Sequence, residues 1–164
     1  MTEIERKFLI EMPNRASLLS NRGAQESEIL QTYLLSEKGV SARVRSRTTK
    51  GNTVYTHTEK IRISDLSHIE NETEISEEEY LALLKKADPS CRSILKTRIT
   101  FPHEGHLMEI DIYPFWTKQA VLEIELASEE EAFAIPKSLR VIREVSDDRR
   151  YKNRAMARTV PSED

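Results

Sequence analysis

Glu3-x-Glu5-x-Lys7 sets two carboxylates and an ammonium on alternate residues at the start of the chain, with Ile4, Phe8 and Ile10 in the opposite phase. Side chains alternate across a strand, so residues 2–11 read as a strand carrying Glu3, Glu5 and Lys7 on one face, roughly 7 Å from one to the next. Paired carboxylates beside a fixed cation suit a hard metal ion that holds a phosphate chain. Any half-exposed antiparallel strand alternates in the same way, so one strand alone decides nothing. The pattern recurs. Arg43, Arg45 and Arg47 share a face opposite Val40, Ala42 and Val44, and Thr56, Thr58, Lys60 and Arg62 share one opposite Ile61 and Ile63. Glu70, Glu72 and Glu74 follow, then Arg92, Lys96 and Arg98, then Glu109 and Asp111, and finally Glu123 and Glu125. These rows are basic or acidic and seldom mixed, and like charges side by side repel. Basic rows facing an anion and acidic rows facing a metal would remove the repulsion. Salt bridges between neighbouring strands of opposite sign would do the same, and the residues alone leave both readings open.

Turn chemistry separates the elements that must position these rows. Strands are expected over residues 2–11, 28–35, 40–48, 54–63, 69–75, 94–101, 107–113 and 121–127, punctuated by Gly39, Lys50-Gly51-Asn52, Ser64-Asp65, Pro102 with Gly105, and Pro114 through Lys118. Pro13 and Asn14 open a short helix to about residue 20. Ser76 caps a second, whose Tyr80, Leu83, Leu84 and Ala87 form an apolar stripe that ends at Asp88-Pro89. Helical pieces are also expected near residues 129–134 and 149–159. Eight mostly antiparallel strands suffice for a small barrel, although an open sheet with one solvated face would read alike locally.

At 164 residues, with 38% hydrophobic and 32% charged residues, the chain fits one domain over residues 1–164. A formal net charge of -3 argues against a broad nucleic-acid footprint, so any polyanion site must be local. The single cysteine, Cys91, makes no internal disulfide. The N-terminus lacks a signal-peptide run, and no stretch reaches membrane-spanning length, so a cytoplasmic protein is expected. His103-x-x-His106 flanks a Gly-bearing turn and reads as solvated rather than metal-binding. Four glycines form no P-loop or dinucleotide fingerprint, so phosphate recognition must come from side chains.

Taken in order, Glu3-x-Glu5-x-Lys7, Arg43-x-Arg45, Thr58-x-Lys60, Arg92-x-x-x-Lys96-x-Arg98, Glu109-x-Asp111, Glu123-x-Glu125 and Tyr151-Lys152-Asn153 resemble the CYTH superfamily, the triphosphate tunnel metalloenzymes. The resemblance spans nearly the whole chain. It implies a mainly β (α+β) fold, a closed eight-stranded antiparallel barrel or tunnel with a polar, charged lumen and flanking helices. It also implies roles. Glu3, Glu5 and Glu125 match the main ligands of a Mg²⁺ or Mn²⁺ ion, with Glu123, Asp111, Glu109 and Glu72 as further acids. Lys7, Arg43, Arg45, Lys60, Lys96 and Arg98 match the phosphate-holding cations, and Arg92 and Lys152 are supporting ones. Glu3, Glu5 and Lys7 are the expected catalytic residues, with the water activated either by metal or by Lys7. One departure stands out: Glu70 occupies the place where many short members carry an arginine ahead of an acid pair.

The implied activity is metal-dependent hydrolysis of inorganic triphosphate to pyrophosphate and phosphate. A class IV adenylate cyclase and a thiamine or nucleoside triphosphatase are the enzyme alternatives, and a noncatalytic polyphosphate-binding module is the alternative from another class. The expected partner is a triphosphate-bearing small molecule, with no nucleic acid and no membrane. Monomer and homodimer are both left open.

Overall fold

The computed structural model describes residues 2–163. Its elements run β1 (Thr2–Glu11), α1 (Arg15–Leu19), β2 (Gln25–Leu34), β3 (Val40–Thr49), β4 (Asn52–Arg62), β5 (Ser67–Ile75), α2 (Glu77–Leu84), β6 (Ile94–His103), β7 (His106–Ile112), β8 (Gln119–Leu126), β9 (Val141–Glu144) and α3 (Asn153–Arg158), with a 3₁₀ turn at Arg149–Tyr151 before the last. All strand pairs are antiparallel. Their order is β5-β4-β3-β2-β6-β7-β8-β1-β9, and β5 also pairs with β1, which closes β1 to β8 into a barrel. That closure is short: Thr2, Glu3 and Ile4 face Ile69, His68 and Ser67. Further along the same edge of β1, β9 takes over opposite Phe8, Leu9 and Ile10.

Local chemistry explains the turns. Lys50-Gly51 and Glu104-Gly105 each close a hairpin with two consecutive positive φ values, 50° and 80° in the first and 47° and 84° in the second. This is type I′ geometry, which matches the strand twist, and glycine adopts it without a Cβ penalty. Ser76 caps α2 as expected: its Oγ accepts from the Glu79 N–H at 3.1 Å while Glu79 reaches back to the Ser76 N–H at 3.3 Å.

The barrel wears its apolar residues outside. Phe8, Ile10, Ile99, Phe101, Met108, Ile110, Leu122 and Ile124 are buried beneath Leu18 of α1 and beneath Phe133, Ile135 and Leu139 of the chain after β8. On the opposite flank, Leu34, Ala42 and Val44 pack against Tyr80, Leu83 and Leu84 of α2. A third cluster fills one end of the interior: Leu9, Tyr33, Ile94, Tyr113 and Val121 point in from the wall and meet Trp116, Val145, Tyr151, Met156 and Ala157. The C-terminal segment therefore floors the lumen. No helix among the described residues is long and apolar enough to cross a membrane.

Several expected boundaries differ. Residues 129–134 form no helix: the Glu131 N–H closes a turn onto the Ser128 carbonyl at 3.2 Å, and the chain then runs extended. Pro136 disfavours helical backbone at Ile135, and Phe133 and Ile135 pack against the outer core. β2 starts at Gln25, not residue 28, and β9 was not anticipated, since four residues carry too short a pattern to read. Arg92 precedes β6 rather than lying in it.

If the outer face is the true core, Ile124→Ala should cost about 2–5 kcal/mol in urea denaturation, whereas Ile63→Ala, at a side chain 55% exposed, should stay within about 0.5 kcal/mol. Equal losses would contradict this polarity.

Candidate active site

Closure turns the charged rows inward around a cavity of about 720 Å³. Among the described residues, eleven Lys and Arg side chains line it against six carboxylates, in a chain whose formal net charge is -3. Positive charge is thus concentrated inside the barrel.

Strand register decides who meets whom. Lys7 lies opposite Glu123 and Glu5 opposite Glu125 across β1 and β8. Glu70 lies opposite Lys60 and Glu72 opposite Thr58 across β4 and β5. The Lys7 Nζ sits 3.3 Å from Glu123 and donates to the Tyr151 carbonyl at 3.1 Å. Lys60 lies 3.2 Å from Glu3 and 3.5 Å from Glu70, and Arg43 lies 4.0 Å from Glu70. Deeper in, Arg98 grips Asp111 with two hydrogen bonds, of 2.8 and 3.0 Å, and approaches Glu109 at 3.4 Å. Lys96, wholly buried, places its Nζ 2.8 Å from the same Asp111.

These surroundings reset the titrations. Burial, reinforced by Glu70, pushes Glu3 up to about 8. Burial and the neighbouring Glu123 push Glu5 up to about 7. Burial would also raise Glu123, but Lys7 and Arg98 overcome it and hold Glu123 well below the usual range. Burial lowers Lys96 to about 7 even beside Asp111, and burial together with Arg43 and Arg98 lowers Arg45 to about 9. The cations crowd one another as well as the acids.

Glu70 and Glu123 help to raise their neighbours Glu3 and Glu5. Crowded carboxylates favour a proton or a cation between them, so the donor set fits a hard divalent ion. Among the described residues, no three His, Cys, Asp or Glu side chains form a cage. The set therefore suits an ion that takes one or two carboxylates and completes its shell with phosphate oxygens and water, the habit of Mg²⁺. A different shortage marks the basic side. The buried Nε atoms of Arg43 and Arg45 have no hydrogen-bond partner among the described residues. Burying such donors without acceptors is costly, and because both guanidinium side chains line the cavity, an anion in the lumen would offset their crowded charge.

Of the residues singled out from sequence, Glu3, Glu5, Lys7, Arg43, Arg45, Lys60, Glu72, Arg98, Glu109, Glu123 and Lys152 line the cavity. Arg92 does not: it is exposed, and its backbone N–H donates to the Ala157 carbonyl at 2.8 Å. Lys96 and Asp111 lie behind the lining, where Asp111 serves as the shared counter-ion of Lys96 and Arg98 instead of an open ligand. Glu125 sits on the lumen face opposite Glu5 but is exposed, outside the cavity lining. In β5, Glu70 and Glu72 both line the cavity and Glu74 does not, so the residue two before the lining acids is His68.

Sequence reading assigned no role to Arg47, Arg62, Arg149, Arg154 or Arg158, all of which line the cavity. Alternation carries the signal for the first two, and the i, i+4 spacing on α3 for the last pair. Gln31 was also missed. Its Oε1 accepts from the Arg45 Nη2 at 3.1 Å and its Nε2 donates to the Tyr33 hydroxyl at 3.2 Å, which aims the guanidinium from behind.

The CYTH domain model matches residues 1–151, and the chain belongs to that family. It is similar to a curated inorganic triphosphatase of Nitrosomonas europaea, 30% identical over 165 residues that cover 98% of this chain and 100% of the relative. A crystal structure of an inorganic triphosphatase superposes with a TM-score of 0.61 at 27% identity, covering 99% of this chain and 98% of that one. A protein of Pyrococcus horikoshii OT3 shares the fold, with a TM-score of 0.58 at 17% identity over 78% of this chain and 80% of its own.

Asp111→Asn should destabilise by about 3–5 kcal/mol in urea, because Lys96 and Arg98 then stay buried without their counter-charge; a loss under about 1 kcal/mol would remove Asp111 from that role. The crowded acids give the opposite kind of signal. A carboxyl raised to about 7 holds its proton more tightly in the folded than in the unfolded chain, so its stabilisation is full on the acid side and is lost as pH rises through that value. In EDTA, the stability of the parent relative to Glu5→Gln should therefore fall between about pH 5 and about pH 8. A flat or rising difference would contradict the crowding.

Proposed function

We propose that this protein hydrolyses linear inorganic triphosphate to pyrophosphate and phosphate inside the barrel, with Mg²⁺ or Mn²⁺ as cofactor. The observation that carries the reading is the cationic lumen lined by Lys7, Arg43, Arg45, Lys60 and Arg98, with carboxylates gathered on the β1 side. The similarity to an inorganic triphosphatase over nearly the full length of both chains supports it.

In this reading Arg43, Arg45, Arg98 and Lys60 hold the phosphate oxygens, the arginines through forked contacts and the lysine through compact charge. Gln31 keeps Arg45 turned towards them. Lys7, fixed between Glu123 and the Tyr151 carbonyl, meets a terminal phosphoryl group without having to reorganise. Glu3, Glu5 and Glu123, with Glu125 at the rim, would hold the metal, which when bound supplies Lewis acidity and a more acidic water. The water oxygen bonds to a terminal phosphorus as the bridging P–O bond breaks, one proton is released to solvent, and pyrophosphate and phosphate result. Among the described lining residues, Tyr33 is the only Phe, Tyr or Trp, and the Arg154 guanidinium lies 5.4 Å over its ring. A nucleobase would find no free aromatic face, which favours the inorganic substrate over ATP.

Tripolyphosphate should accordingly exceed ATP in kcat/KM by about a hundredfold or more. Pyrophosphate should be poor, because it leaves some of the cations unpaired. Turnover with each, followed by product analysis in Mg²⁺, in Mn²⁺ and in EDTA, tests this. Cyclic AMP and pyrophosphate from ATP would replace the reading with a cyclase, tight binding of every polyphosphate without turnover would replace it with a binding module, and full activity in EDTA would remove the metal.

A further inference from the structure

His68 has no part in the chemistry above, yet it stands in the lumen wall. It lies at the start of β5, 7% exposed, opposite Glu3 on β1 and Arg62 on β4. It lines the cavity, and its Nδ1 is buried with no hydrogen-bond partner among the described residues. The charged groups that act on it are the ammoniums of Lys60, Lys152 and Lys7, with Glu70 opposing them.

We propose that His68 is a further phosphate-contacting residue, whose imidazole donates a hydrogen bond from Nε2 to an oxygen of the bound triphosphate. The proposal rests on the reading of the lumen as a triphosphate site. Shutting an N–H away without an acceptor costs more than shutting away a bare lone pair, so the ring proton belongs on Nε2 and not on the buried Nδ1. That tautomer turns the donor to the cavity side, where three ammoniums draw an anionic oxygen.

Calorimetry with a nonhydrolysed imido analogue of tripolyphosphate in Mg²⁺, on the parent, His68→Ala and His68→Gln, tests the assignment. Loss of one hydrogen bond should weaken His68→Ala about three- to tenfold, and His68→Gln, whose amide nitrogen reaches about as far as Nε2, should recover much of the loss. Mn²⁺ affinity without the analogue, read by electron paramagnetic resonance, should be the same in all three. Parent-like analogue affinity in a folded His68→Ala would overturn the proposal, as would an equal fall in Mn²⁺ affinity, which would make the ring a metal ligand. Should the alanine variant not fold, the Nε2 resonance of His68 in the ¹⁵N-labelled parent must shift on adding the analogue; no shift overturns the proposal. A parent that binds no analogue overturns both this proposal and the functional reading, whereas a parent that binds it with an indifferent His68 overturns only this one.

Discussion

Cations held out of water inside a closed sheet are the constraint on which the rest of this structure depends. Arg43, Arg45, Lys96 and Arg98 are each at most 9% exposed, and burial with neighbouring cations lowers Arg45 and Lys96. Desolvation and mutual repulsion both oppose that arrangement, and the fold answers with carboxylates placed by strand register. Asp111 faces Arg98 across β6 and β7 and takes Lys96 as well, so one fully buried anion holds two buried cations. The answer is incomplete: Arg43 Nε, Arg45 Nε and Lys96 Nζ are buried without a hydrogen-bond partner among the described residues. Asp111 offsets the charge of Lys96 and Arg98, whereas the Arg43 and Arg45 side chains line the cavity, where a ligand can meet them.

The two ends of the chain build the two most specialised parts of the lumen. Among the described residues β1 closes the barrel against β5 through three residue pairs, and the same strand carries Glu3, Glu5 and Lys7. The C-terminal segment floors the interior with Tyr151, Met156 and Ala157, and its backbone holds the Lys7 ammonium. It also sends Arg154 over Tyr33 and into contact with Asp88 at 2.9 Å, tying the floor to the loop after α2. An apolar floor lowers the local dielectric, which strengthens every charge interaction above it. Folding and site assembly are therefore one event here, because the groups that would act on a phosphate also complete the wall.

Alternation made most of the wall legible before the fold was known, since a period of two is a local property that each strand states for itself. The rows on β1, β3 and β4 came out on the faces and at the positions expected. Arg92 failed the same test because parity says which face a residue shares but not where a strand begins. Asp111 and Glu109 are two residues apart on one face, yet one is locked between Lys96 and Arg98 while the other lines the cavity, and only depth in the barrel separates them. The helix expected at 129–134 lost to the outer core, which needed Phe133 and Ile135 in extended chain.

The sequence by itself determined β1 to β8 in outline, their turns and the sign of each charged row, all of which follow from neighbours within a few residues. Tertiary structure decided the rest. Which face became the interior depended on closure between β1 and β5, some sixty residues apart in the chain. Pairing depended on register between distant strands, which set Lys60 beside Glu70, made Glu70 and Glu72 the lining acids of β5, and put His68 in the wall. Charge interactions are read across space and not along the chain, and their strength turns on burial, which no single strand contains.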